Sequence, residues 1–198
     1  MITTLPSHRR ECIYAFRLQK RHCSVMLTSV IIMELQKRKL PRLKAYDYSS
    51  PGAYFITICT HNKNCIFGSI LSGDGGIEPT VQYSPIGEIA RNCLLEIEQH
   101  YGNVKIDNWV IMPNHVHILF RITERITSPI KYDISNVVGK YKAAVTRTVR
   151  KITLHPDKIW QSSCYDHIIR NDKDYQKIWE YISGNPSKWL DDCFYCEE

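Results

Sequence analysis

Two histidines one residue apart, His115 and His117, lie in the apolar run from Val110 to Phe120. On a β-strand, residues i and i+2 point to the same face. Val116 and Ile118 then point to the other face, and two imidazoles stand side by side on one face of a hydrophobic strand. Two neutral imidazoles aligned this way make half of a metal site. The same pair also suits two polar residues on a half-solvated sheet, and the H-x-H spacing alone does not choose between the two.

The elements that must position the pair follow from pattern and punctuation. Ala53 to Thr60 is rich in aromatic and β-branched residues and reads as a strand. Ser69 to Glu78 contains Gly73, Asp74, Gly75 and Gly76, the chemistry of a hairpin turn. Ser84-Pro85 is a helix start, and Ile86, Ile89, Ala90, Cys93, Leu94 and Ile97 recur at helical spacing before Gly102. Val104 to Phe120 splits at Met112-Pro113-Asn114 into two antiparallel strands, about 104–111 and 114–121. Residues 133–151 form a helix with a stripe of Val137, Val138, Tyr141, Val145, Thr148 and Val149, capped by Asp133 or Ser135. A short strand spans Tyr165 to Ile169, and Asn171-Asp172 caps a last helix, 173–184, stopped by Gly184 and Pro186. The order β-α-β-β-α-β-α predicts an α+β fold: a ferredoxin-like (split βαβ) antiparallel sheet with an added C-terminal helix.

The context of the histidines adds to this. Met112-Pro-Asn-His-Val-His-Ile-Leu119 resembles the HUH signature of single-tyrosine transposases, whose middle position is a bulky apolar residue. It is most similar to the branch with the REP-associated tyrosine transposases and the smallest insertion-sequence transposases. Tyr48 to Thr57 looks like that family's first strand, Ile159-Trp160-Gln161 through Tyr165 to Arg170 like its late strand, and Tyr181 to Pro186 like its tyrosine helix. The resemblance spans about residues 41–190.

The resemblance implies that Tyr181 is the nucleophile and Asn185 the third metal ligand beside His115 and His117. Residues i and i+4 share a helix face, so one helix laid across the sheet could present the phenol and the carboxamide oxygen to the same metal centre. It further implies a divalent metal, Mg²⁺ or Mn²⁺, a 5′-phosphotyrosine intermediate, and single-stranded or hairpin DNA as substrate, handled by a monomer or a homodimer. Gly184 falls between Tyr181 and Asn185 and loosens the helix there. Tyr175, six residues earlier, is off that face.

Charge supports a polyanionic partner. The net charge is +6, and residues 1–50 hold ten Lys/Arg against three Asp/Glu while residues 131–151 hold six against one. Lys140, Lys142, Arg147, Arg150 and Lys151, with Arg42 and Lys44 from the segment Lys37 to Lys44, are the candidates for phosphate contact. Tyr46, Tyr48 and Trp109 are candidates for base stacking. A solvated, solubilising face is the plain alternative.

The 198 residues suit one domain, 41–198, behind a basic N-terminal extension, 1–40. Arg9, Arg10, Arg17, Lys20 and Arg21 precede an apolar stretch from Val25 to Met33, yet no small-x-small site follows, which argues against a signal peptide. No apolar run approaches the roughly 20 residues of a membrane span. The eight cysteines are irregularly spaced, and Cys193/Cys196 has no second pair at matching distance, so reduced thiols in the cytoplasm are expected. Three rivals remain: a non-cleaving DNA- or RNA-binding protein of the same fold, an RNA-recognition-type module, and a zinc hydrolase. The second wants a Lys/Arg-Gly-Phe/Tyr pattern and the third an HExxH helix, and neither is present.

Overall fold

The computed structural model describes residues 46–73, 78–125, 133–153 and 158–195. The basic extension 1–40, Arg42, Lys44, the glycine turn 74–77 and Cys196 lie outside these residues.

Strand β1, Gly52–Cys59, alternates its side chains between two cores. Tyr54, Ile56 and Ile58 face one and Phe55 the other. A hairpin of β2, Gly68–Leu71, and β3, Thr80–Tyr83, follows as the expected excursion and forms a separate two-stranded sheet. Helix α1, Pro85–Leu95, starts as its sequence predicts: Ser84 Oγ accepts the Gly87 N–H at 3.0 Å and Pro85 takes the first helical position. A single turn, α2, Ile97–His100, leads into β4, Val104–Met112. The tight turn at Pro113-Asn114 returns the chain as β5, His115–Ile122.

Helix α3, Ile134–Ile152, is capped by Asp133, whose carboxylate accepts the Asn136 N–H at 2.7 Å. Strand β6, Tyr165–Ile169, and helix α4, Asp172–Ser183, complete the domain, with Asn171 Oδ1 accepting the Asp174 N–H at 2.9 Å. Each such cap is worth ~1 kcal/mol. A 3-10 turn, Pro186–Asp191, follows.

The main sheet runs β4-β5-β1-β6 with every neighbouring pair antiparallel. Helices α1 and α3 pack on one face, where Val137, Tyr141, Val145 and Val149 meet Ile56, Ile58, Val116, Ile118 and Phe120. Helix α4 packs on the other through Ile178 and Ile182, against Phe55, Val110, Met112 and Leu119. A fully buried Leu, Ile or Phe contributes roughly 1.5–3 kcal/mol of transfer free energy, so two-sided burial of the central strands is what fixes their register.

The edge strand β4 has a bulge, where the register with β5 shifts between Ile106 and Asn108. Asp107, the extra residue, takes Arg121 in an ion pair at 2.7 Å and the Tyr175 hydroxyl at 2.9 Å. Asn108 Nδ2 donates to the Trp179 carbonyl at 3.1 Å and to Ser183 Oγ at 2.9 Å. Helix α4 is thus tied along its length to the edge of the sheet. No helix among the described residues is long and apolar enough to cross a membrane.

Candidate active site and metal centre

Register places the histidines. β5 pairs with β1 so that His117 stands opposite Thr57 and His115 opposite Cys59, on the sheet face that α4 covers. Both are buried, at 0% and 1% exposure, so the half-solvated alternative is excluded. Their ring centroids lie 4.5 Å apart. Phe55 stacks 5.2 Å from His117, and Phe194 stacks 4.5 Å from His115.

Hydrogen bonding fixes which ring nitrogen of His115 faces inward. Asn114 Nδ2 donates to the carbonyls of Lys63, at 3.1 Å, and Phe194, at 2.7 Å. Its Oδ1 is therefore the acceptor, and His115 Nδ1–H donates to it at 2.9 Å. His115 Nε2 is left with its lone pair exposed to the site and has no partner. His117 Nδ1 lies 2.8 Å from Thr57 Oγ1, which with Nδ1–H donating leaves Nε2 as the lone-pair nitrogen. Burial holds His115 well below the usual histidine range, helped by the neighbouring His117 and Lys63, while Asn185 pulls the other way. Burial alone pushes His117 down to about 3. Both are neutral imidazoles, the form that ligates metals.

Tyr181 comes from the last turn of α4. Its hydroxyl lies 3.2 Å from His117 Nε2, and its ring stands edge-on to Phe55 at 6.0 Å. Burial, with the nearby Asp192 adding to it, raises its pKa above the usual tyrosine value. Tyr175 is elsewhere, bonded to Asp107, as its position off that face anticipates.

Asn185 reaches the same spot by a route the helix-face argument does not describe. α4 ends at Ser183, Gly184 is its C-cap, and Asn185 is the N-cap of the separate 3-10 turn. The carboxamide is 2% exposed, its Nδ2 donates to Asp192 Oδ2 at 3.3 Å, and its Oδ1 has no partner. The tyrosine and the asparagine converge because the chain turns at Gly184.

Three residues at the site carry no signal in the sequence. Asp192 joins His115 and His117 with one ligand atom of each within 4.8 Å of the others, the one such trio among the described residues. Burial raises its carboxyl pKa, against which the Phe194 N–H and Asn185 pull down. Lys63 donates to the Cys193 carbonyl at 3.3 Å and lies 5.1 Å over the Phe194 ring. Thr57 ends the segment that resembles the family's first strand, but only its register partner His117 marks a role for it at the site.

The basic residues are divided. Lys140, Arg147, Arg150 and Lys151 are exposed on α3, on the opposite face of the sheet from the histidines. Lys142 is half-buried, its ammonium donates to the Gln161 carbonyl at 2.7 Å, and burial lowers its pKa. Tyr48 is buried with its hydroxyl on Asp166 at 2.6 Å and offers no stacking face, whereas Tyr46 and Trp109 pack against the core and stay partly exposed. Of the Cys193/Cys196 pair, Cys193 stands beside Asp192 and near the phenol, a place its spacing does not foretell.

The donor set fits a divalent cation. Two buried acceptor atoms, His115 Nε2 and Asn185 Oδ1, have no partner, and a carboxylate and a second neutral imidazole adjoin them. Buried polar atoms left unpaired cost roughly 1–3 kcal/mol each, and a cation satisfies both.

The sheet thus sets a pair of histidines facing a tyrosine on the last helix. The family model described as "Transposase IS200 like" matches residues 79–185, and the chain belongs to that family. It is 36% identical over 179 residues to an uncharacterised protein of Haemophilus influenzae, covering 82% of this chain and 96% of that one. It is 26% identical over 141 residues to the REP-associated tyrosine transposase of Escherichia coli, covering 71% and 70%. Its fold is similar to that of a REP-associated tyrosine transposase bound to a REP hairpin, with a TM-score of 0.53, 21% identity, and coverage of 74% of this chain and 73% of that one.

Proposed function

We propose that this protein cleaves and rejoins single-stranded DNA, with Tyr181 as nucleophile and with His115, His117 and Asn185 holding a divalent cation, Mg²⁺ or Mn²⁺. The observation that carries the reading is a convergence on one buried spot. Two neutral imidazoles, a phenol 3.2 Å from one of them and a carboxamide oxygen without a partner meet there, from three segments of the chain. The strand order β4-β5-β1-β6, with β5 inserted between β1 and β4, fits a ferredoxin-like split βαβ domain in which α4 is the added helix.

Tyr181 Oη attacks the scissile phosphorus. The Oη–P bond forms as the bond to the 3′ oxygen breaks, giving a 5′-phosphotyrosine and a free 3′-OH. The phenol gives up one proton and the leaving oxygen gains one. A phosphodiester is exchanged for a phosphodiester, so another 3′-OH can reverse the step and complete the transfer without a nucleotide cofactor. Burial keeps the phenol protonated until it is engaged. Thr57 and Asn114 hold the two rings with their Nε2 lone pairs inward. When bound, the cation would supply Lewis-acid polarisation of the phosphate.

Hairpin DNA is the substrate class we favour, since a relative with this fold is bound to a REP hairpin. The exposed cations of α3, Lys140, Arg147, Arg150 and Lys151, would hold flanking phosphates remote from the centre. The protein works as a monomer or a homodimer.

The test is a cleavage assay on labelled single-stranded DNA carrying the hairpin ends that flank the gene, with Mg²⁺ or Mn²⁺. Native protein is expected to form a covalent protein–DNA adduct that requires the metal and disappears in Tyr181→Phe. DNA bound but never joined to protein would move the assignment to a non-cleaving binding protein of the same fold. An adduct surviving in Tyr181→Phe would remove Tyr181 from its role.

A further inference from the structure

The geometry points to Asp192 as a ligand of the cation at the His115/His117 centre, supplying the negative charge that the two imidazoles and the carboxamide lack. This inference rests on the metal-centre reading above and adds a residue from outside the tyrosine helix.

Asp192 lies just past the 3-10 turn that Asn185 caps, so the turn brings a carboxamide and a carboxylate to the same place seven residues apart. One oxygen, Oδ1, accepts the Phe194 N–H at 2.7 Å, which fixes the plane of the group. The other, Oδ2, accepts Asn185 Nδ2 at 3.3 Å, which commits the amide NH₂ and leaves Asn185 Oδ1 as an unpartnered acceptor. His115 Nε2 is unpartnered beside it. A carboxylate oxygen of Asp192 and one nitrogen from each of His115 and His117 all lie within 4.8 Å of one another. His115, His117 and Asn185 are neutral and largely withdrawn from water, with 0%, 1% and 2% exposure. Neutral donors alone leave a dication's charge uncompensated in such a place, and a single carboxylate halves it.

Two imidazoles with one carboxylate also alter which ion the site prefers. First-row transition ions take mixed nitrogen and oxygen donors, whereas Mg²⁺ holds its waters and favours an oxygen shell. The two imidazoles therefore make this centre one for Mn²⁺ over Mg²⁺, and Asp192 adds the anionic oxygen that holds either ion. A purely structural carboxylate would instead only orient Asn185 and cap the Phe194 N–H.

The experiment measures Mn²⁺ binding to the full chain without DNA, by calorimetry and by the electron paramagnetic resonance signal of free Mn²⁺. Native protein is expected to bind one Mn²⁺, more tightly than Mg²⁺, and His115→Ala to lose it. Asp192→Asn keeps the size and shape of the side chain and is expected to weaken binding at least ~10-fold, and Asp192→Glu is expected to retain most of it. Unchanged affinity in a folded Asp192→Asn protein overturns the ligand assignment and leaves the histidine centre standing. No binding by native protein, or full binding by His115→Ala, overturns the metal-centre reading and this inference with it. A positioning role is separated by the Asn185→Ala background: an Asp192 ligand still costs affinity there when changed to Asn, whereas a residue acting only through Asn185 costs nothing more, and that result overturns the inference.

Discussion

His117 is held neutral by burial, down to about 3, and its cross-strand partners Thr57 and Val110 carry no charge. An unfolded histidine titrates near 6.5. The unfolded chain therefore takes up a proton first as the pH drops. The histidine's contribution to stability is full above about pH 6.5 and is lost as pH falls toward 3. Each pH step of one between those limits is worth about 1.4 kcal/mol, so a metal-free protein loses about 2 kcal/mol through this histidine between pH 6.5 and 5. Urea unfolding at pH 7.5 and pH 5 should show the loss in native protein, and His117→Leu should show less of it. Equal pH slopes in the two proteins would mean that His117 is not the neutral, buried group described. The histidine pair is open to reading from sequence because i and i+2 on a strand must share a face. Asp192 is not, because its place depends on an irregular turn and on partners more than seventy residues away in the chain, and neither leaves a periodicity.

At the scale of elements, the start of α1 lies against the chain just before β2 with no room to spare. A Cβ on Gly87 would lie 2.0 Å from the Phe67 carbonyl oxygen, which itself accepts the Ser84 N–H at 2.9 Å. Gly87→Ala is expected to cost roughly 1–3 kcal/mol, as overpacking against backbone does, and to lower the urea midpoint; an unchanged midpoint would show that the helix can shift freely. Ser84→Ala removes only the cap and should cost ~1 kcal/mol. Strands and helices are readable to within a residue or two at most ends, because Ser84, Asp133 and Asn171 announce the helices and Pro113 breaks the hairpin. The course of the chain after Tyr181 is not, since a single Gly184 decides whether Asn185 continues a helix or starts a turn. Separating the two elements lets the nucleophile and its neighbouring carboxamide be placed by different anchors: Tyr181 through α4 and the β4 edge, Asn185 through Asp192.

Across the whole molecule, the sheet stands between the proposed chemistry and the exposed cations of α3. DNA that touches both α3 and the histidine face must pass around an edge of the sheet. Reversing Lys140, Arg147, Arg150 and Lys151 to Glu should weaken binding of a DNA hairpin and flatten the slope of log affinity against log salt by about one for each phosphate no longer neutralised. Mn²⁺ binding should be untouched, because these side chains lie on the far face. Hairpin affinity and salt slope equal to the native protein's would assign α3's charge to solubility alone. Lys142→Gln belongs in another class and should lower stability, because its ammonium holds the Gln161 carbonyl.

The bulge at Asp107 bears on how copies of the protein behave in a crowded solution. An outer strand with a straight row of free amides and carbonyls invites another strand to add to it, and sheets grow into aggregates that way. In β4 the extra residue breaks that row, and its carboxylate turns under α4 to pair with Arg121. The same residue binds Tyr175, so the feature that discourages accretion at this border also anchors the helix that carries Tyr181. A chain shortened by that one residue would have an unbroken, sticky border and a loosened helix together, and would be expected to leave solution as fibrous or amorphous aggregate.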